Sequence, residues 1–262
     1  MKKIVFFLLL FSILAAGEAL AATNHYWSGG DPDNNLINDP DNYWDDKGVP
    51  GQDDNVFIGR PDYYAVCNEN VTDFQVKEFT IAKEKNGLCQ LDMSGGSISV
   101  AEMFFIAKES NNGVEGVLNI SGGTISSGSW FNIGSRNKGT VNMTGGLIDV
   151  GTKLAMGMYV DASGVLNLDG GTVQAQTLQI EGQSTTEPTK INISYGTLKL
   201  EGDKVSDVLS FVSAGKIVST TSYDVTASYD SNLDQTLVTA PEPATLAFLS
   251  AGFFALRKKR RS

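Results

Sequence analysis

Residues 118–125 read Leu-Asn-Ile-Ser-Gly-Gly-Thr-Ile, and the phrase returns along the chain. Its counterparts are LDMSGGSI at 91–98, VNMTGGLI at 141–148, LNLDGGTV at 166–173 and INISYGTL at 191–198. The first glycine of each pair, or Tyr195 in its place, recurs after 27, 23, 25 and 25 residues. Nine residues after that position, or eight in the fourth unit, comes a second phrase. It reads Phe104-Phe105-Ile106-Ala107, Phe131-Asn132-Ile133-Gly134, Leu154-Ala155-Met156-Gly157 and Leu178-Gln179-Ile180-Glu181. Phe79-Thr80-Ile81-Ala82 marks one more unit upstream. A period of this length is the mark of a repeat architecture.

Within each phrase apolar and polar residues alternate, the period-2 pattern of a strand with one buried face. Leu118 and Ile120 point inward, Asn119 and Ser121 outward. The double glycine permits a sharp turn because glycine tolerates positive φ. Ile125, Phe131 and Ile133 then resume the inward row. One repeat therefore supplies two or three short strands around a closed coil, and successive coils stack in parallel at about 4.8 Å. The fold class expected is all-β, a single-domain parallel β-helix of about 25 residues per coil over residues 61–240. No stretch of this region reads as helical: apolar runs are short, and 28 glycines punctuate the chain. A solenoid needs covered ends. The Trp- and Asp-rich residues 22–60 are expected as the N-terminal cap, and Asp203–Thr239 as a last coil with a closing strand.

The outward rows show what chemistry the repeat can carry. Asn119, Asn142, Asn167 and Asn192, with Asp92 at the head, form a ladder position whose amides can hydrogen-bond from coil to coil. The rows Ser94, Ser121, Thr144, Asp169, Ser194 and Ser99, Ser126, Asp149, Gln174, Lys199 hold one carboxylate each. Glycoside hydrolysis needs a pair about 5–9.5 Å apart, and no stacked pair stands here. The row Ser97, Thr124, Leu147, Thr172, Thr197 is interrupted by Leu147, which spoils a flat threonine array. His25 is the single histidine, so a Ser-His or Cys-His nucleophile has almost no material. No catalytic, metal or cofactor set emerges. Asp31-Pro32-Asp33-Asn34-Asn35 and Asn38-Asp39-Pro40-Asp41-Asn42 carry oxygen ligands that suit calcium. They lack the EF-hand glycine and glutamate, and turn formation explains them. Trp27, Trp44, Tyr63 and Tyr64 suit either a sugar platform or the covering of an open core end, and the second is favoured.

The two ends speak of traffic. Met1-Lys2-Lys3, an apolar run from Ile4 to Ala16 and the exit Ala19-Leu20-Ala21 form a signal peptide over residues 1–21, with Ala19 and Ala21 as the small residues before the cut. At the other end Pro241-Glu242-Pro243 precedes an apolar stretch, Ala244 to Leu256, and the cations Arg257, Lys258, Lys259, Arg260 and Arg261. The 13 apolar-stretch residues span about 20 Å as a helix, short for a ~30 Å hydrocarbon core. Such a segment suits a transient transmembrane anchor, with its cations cytoplasmic. The whole chain of 262 residues carries 20 basic and 30 acidic side chains. Residues 22–240 keep 13 of the basic and 28 of the acidic ones. That balance argues against nucleic acid and polyanionic substrates. Cys67 and Cys89, an even count in an oxidising compartment, favour a disulfide.

Pro-Glu-Pro, a short apolar helix and an Arg/Lys-rich end, over residues 241–262, resemble the PEP-CTERM sorting signal of Gram-negative bacteria. The resemblance implies an exosortase-type membrane protease as partner, removal of the tail, and delivery to the cell surface or matrix, often alongside exopolysaccharide and biofilm. The stretches YWDDKGVPGQDDNVFIG and YDVTASYDSNLDQTLVTAPEP are similar to those of PEP-CTERM β-helix proteins, and the repeat region resembles a pectate-lyase-like β-helix. The expected role is an exported structural or adhesion protein without enzymatic activity, associated with extracellular polysaccharide. The alternative is a β-helix polysaccharide lyase or glycoside hydrolase acting outside the cell.

Overall fold

The computed structural model describes residues 22–240 except 30–33, 44–47, 60, 62–63, 84–86, 110–112 and 183–186. The signal segment with Ala19 and Ala21, and the tail with Pro241–Pro243 and Arg257–Arg261, lie outside the described residues. Among the described residues no helix is long and apolar enough to cross a membrane.

The repeat folds as a parallel β-solenoid with three faces. The first face carries the strand before the double glycine: Tyr64–Cys67, Gly87–Met93 and Val114–Ile120, then the starts of Lys138–Met156 and Ser163–Ile180, then Lys190–Ile193 and Ile217–Ser219. The second face follows the glycines, from Phe74–Val76 through Ser97–Val100 and Thr124–Ser127 to Thr197–Glu201. The third holds the Phe/Leu phrase: Asn24–Trp27, Asn55–Ile58, Glu78–Ile81, Phe104–Ile106 and Trp130–Ile133. In Lys138–Met156 and Ser163–Ile180 the chain passes all three faces with pairing broken only by register shifts.

The corner between the first two faces explains the glycine pair. The second glycine takes the left-handed conformation, with φ of +83° at Gly123, +81° at Gly146 and +71° at Gly171. The first is forced by proximity. A Cβ at Gly122, Gly145 or Gly170 would stand 2.5, 2.4 or 2.2 Å from the carbonyl oxygen of Ser94, Ser121 or Thr144 one coil below. Inside, identical side chains stack. The Phe79 and Phe104 rings lie 4.9 Å apart at 9°, Phe104 and Phe131 4.7 Å apart at 13°. Leu154 and Leu178 continue that row. Since every coil lends its apolar face to two neighbours, the core is one continuous column.

Three expectations need correction. The first concerns the cysteines, which are free and buried. Cys67 pairs across the sheet with Met93, and Cys89 precedes Met93 by four residues on the same strand. Four residues of strand are about 13 Å, whereas a disulfide tolerates at most about 7 Å between Cα atoms. Burial instead pushes the Cys67 thiol up to about 12. The Cys89 thiol goes to about 11, against a lowering hydrogen bond from the Ala82 backbone.

The second correction is a helix. Val205–Ser213 is α-helical, because Val205, Val208, Leu209 and Val212 fall at i, i+3, i+4 and i+7 and give one apolar stripe. Gly215 closes it with φ +68°, while Lys216 N–H donates to Phe211 C=O at 2.9 Å and Gly215 N–H to Val212 C=O at 3.0 Å. That pair of bonds is a Schellman stop. After it comes the last first-face strand, Ile217–Ser219, and then an antiparallel hairpin, Thr226–Asp230 and Gln235–Thr239, laid on the second face. The third correction is to the boundary of the cap. Asn24–Trp27 and Asn55–Ile58 already belong to the third face, so the solenoid begins inside residues 22–60.

Candidate functional site: the outer faces

The asparagine row is a closed hydrogen-bond ladder. Asn119 Nδ2 donates to Asp92 Oδ1 at 2.7 Å, Asn142 to Asn119 at 2.8 Å, Asn167 to Asn142 at 2.7 Å and Asn192 to Asn167 at 2.7 Å. Every amide points its donor one coil toward the N-terminus. A carboxylate has acceptors only, so Asp can stand at that end of the ladder and at no other. Gln90 Nε2 also donates to both oxygens of Asp92, at 2.8 and 2.9 Å. At the far end the register partner of Asn192 is Val218, which offers no side-chain donor or acceptor.

Hydroxyls of the neighbouring rows likewise bond within the solenoid, to backbone or to the next coil's side chains. Ser121 Oγ donates to Met93 C=O at 3.4 Å, and Ser126 Oγ to Ser99 Oγ at 3.3 Å. Ser194 Oγ donates to Asp169. A depression of about 370 Å³ lies over the first coils of the ladder, lined by Asp92, Asn119, Asn142, Ser94, Ser121 and Thr144 among others. A second of about 370 Å³ is lined by Gln52, Asp53, Gln75 and Ser99 beside Val76, Val100 and Ala101. Each has a single carboxylate in its lining and no base of another kind.

In the N-terminal segment the polar residues tie turns. Asp39 accepts from Asp41 N–H at 2.9 Å and from Asn34 Nδ2, capping the short 3₁₀ turn Pro40–Asn42. Asn42 is fully buried and donates to Asn34 C=O at 2.6 Å and Leu36 C=O at 3.0 Å. Among the described residues no three His, Cys, Asp or Glu side chains gather as a metal would need. Trp27 is core, with 1% exposure, while Tyr64 is 48% exposed; Trp44 and Tyr63 lie outside the described residues. His25 is buried, edge-on to Tyr43 at 5.9 Å, with Nε2 3.3 Å from Asp54 Oδ2. Asp54 also accepts from Thr23 N–H at 3.0 Å and Gly51 N–H at 2.9 Å. Burial pushes its carboxyl up. The backbone donors of Gly51 and Thr23 and the nearby His25 outweigh that, leaving it below the usual range.

The outside of the third face differs from the other two, and nothing in the repeat analysis singled it out. Its outward row runs, coil by coil, Tyr26, Phe57, Thr80, Phe105, Asn132, Ala155, Gln179. Cations lie over its rings: Lys83 3.5 Å from the Phe57 centroid, Lys108 4.3 Å from Phe105, Lys153 4.3 Å from Trp130. On the adjoining edge, where the connections vary in length, Arg136 lies 4.2 Å from the Tyr159 centroid. There too Lys138 Nζ sits 3.0 Å from Glu187 and 3.6 Å from Glu115. The Glu187 hydrogen bond leads in raising the Lys138 pKa, against burial that lowers it. Aromatic residues one unit apart beside lysines were the available signal.

Scans of the chain against family models, curated proteins and solved structures find no match. The class defined by fold and surfaces is therefore an architectural one, a parallel β-solenoid whose outward rows are largely hydrogen-bonded within the solenoid itself.

Proposed function

We propose that this chain is an exported structural or adhesion protein of the cell surface or extracellular matrix, sorted through a PEP-CTERM tail and associated with exopolysaccharide. The observation that carries the reading is the asparagine ladder, with its flanking hydroxyl rows. These outward positions repeat through coil after coil and bond to one another, as befits a rigid rod. A reaction centre would break the repeat where the chemistry occurs. The sequence of the two ends supports the route: a signal-peptide pattern over 1–21, then Pro241, Glu242 and Pro243 before a short apolar stretch with the cations Arg257–Arg261, which suits a transient inner-membrane anchor. Exosortase-type cleavage near the Pro-Glu-Pro would free the rod for the surface.

Purified protein incubated with a panel of extracellular polysaccharides tests the role. The expected outcome is retention on at least one polymer with no new reducing or unsaturated ends. Chain shortening that persists in homogeneous protein would replace this reading with a polysaccharide-cleaving enzyme.

A further inference from the structure

On the outside of the third face, Trp130 and Phe105 stand one coil apart and two residues apart along the strand, since Phe105 pairs with Asn132. Such diagonal neighbours are roughly 7–8 Å apart, and both rings are partly exposed. Asn132 lies between the inward Phe131 and Ile133, so its side chain belongs to this outer surface. It is 2% exposed, and its Nδ2 has no hydrogen-bond partner. Leaving a buried amide donor unpaired is destabilising, so its presence there asks for an acceptor that arrives from outside.

We propose that this face holds an uncharged, extended polysaccharide, whose pyranose rings stack on Trp130 and Phe105 while Asn132 donates to a sugar oxygen. The inference rests on the reading of the chain as a polysaccharide-associated protein and names where and what it binds. The apolar face of a pyranose suits an aromatic ring, and two rings a diagonal step of roughly 7–8 Å apart on one face can each meet a sugar of the same extended chain. Lys108 and Lys153 are displaceable covers, because both are partly exposed and a cation–ring contact in water is weak. Once displaced, each ammonium can donate to sugar hydroxyls.

Charge selects the class. Lys108 is already paired with Glu78, and Lys153 donates to Gln179 at 2.9 Å. The chain as a whole carries −10. A polyanion would find Lys108 already neutralised by Glu78 and would approach a chain of net negative charge, whereas a neutral glycan meets no such repulsion.

The test is affinity electrophoresis of the full chain in mild detergent, in gels containing hydroxyethyl cellulose, xylan, galactomannan or dextran, with alginate as the anionic arm. Wild type is expected to be retarded by at least one neutral polymer and not by alginate. Trp130→Ala should weaken that retardation about tenfold or more. Asn132→Leu should weaken it several-fold without lowering the melting temperature, because it deletes an unpaired buried donor and keeps the shape. Undiminished retardation of both variants would move the site elsewhere and leave the polysaccharide role standing. Retardation by alginate alone would overturn the neutral class. No retardation of wild type in any gel would remove both the site and the polysaccharide association.

Discussion

The coils from Phe74 to Leu200 and the segment before Ile58 bury the same kind of core by opposite means. In the coils each position is held by its own likeness one coil away: Phe104 by Phe79 and Phe131, Asn142 by Asn119 and Asn167. In the N-terminal segment the described side-chain hydrogen bonds are singular. Ser28 Oγ donates to Asn42 C=O at 3.1 Å, Tyr43 Oη donates to Ile37 C=O, and His25 meets Asp54. Repetition lets a single rule stabilise many residues, but an error at one coil reaches both neighbours. The singular contacts at the end fail one at a time.

Mutations in matched pairs sharpen this contrast. The largest effect is expected at Phe104→Ala, which removes a fully buried ring from the middle of a stack. The loss should be about 3–5 kcal/mol, read as the shift in denaturation midpoint multiplied by the m-value. Gly146→Ala comes next. Its φ is +81°, and the new Cβ would lie 2.8 Å from Gly123 O, so strain and a clash add to about 2–3 kcal/mol. Gly48→Ala, at φ +79° with nothing within 4 Å, carries the backbone strain alone, about 1 kcal/mol. Equal losses at the two glycines would break the distinction between stacked corner and open end.

A smaller effect is expected in the ladder. Asn142→Ala strands the Asn167 donor and the Asn119 acceptor, a loss of about 1–2 kcal/mol. Asn192→Ala strands only the Asn167 acceptor and should lose about half as much. Chemical denaturation of the two variants side by side measures both, and equal losses would contradict a ladder in which Asn142 makes two bonds and Asn192 one.

The mildest is a pH effect confined to the N-terminal end. The Asp54 carboxyl is held below its ordinary value, so its contribution is complete above the unfolded carboxylate pKa of about 4. It fades as the pH falls through the lower folded value. Amide protection factors, referred to the slower intrinsic exchange at low pH, should therefore fall first at Asn24–Trp27 on acidification, while the strand Thr124–Ser127 stays protected. Simultaneous loss at both places would show that the end is not an independent unit.

What the sequence disclosed follows the same division. The double glycine, the inward rows and the asparagine ladder were legible because each appears four or five times, and alternation tells which side of the strand each residue takes. The helix Val205–Ser213 occurs once, and its i, i+3, i+4 spacing was masked by the β-branched composition around it. The His25–Asp54 contact joins residues 29 apart with no repeat to announce it. The cysteine pairing failed for a geometrical reason. Compartment and even count say nothing of register, and here register sets the two thiols four strand residues apart. The ring-and-lysine row on the third face was missed because only some coils carry it.

The central claim, that a repeat-built rod is delivered to the surface and released from a temporary anchor, is tested most directly by the intact mass of protein extracted from the cell surface. The account predicts a species that starts at Ala22 and lacks Arg257–Ser262, and that Pro241-Glu242-Pro243→Ala-Ala-Ala converts it to a larger, membrane-held form. A wild-type surface species that still carries Arg257–Ser262 would contradict it and make the C-terminal segment a permanent anchor.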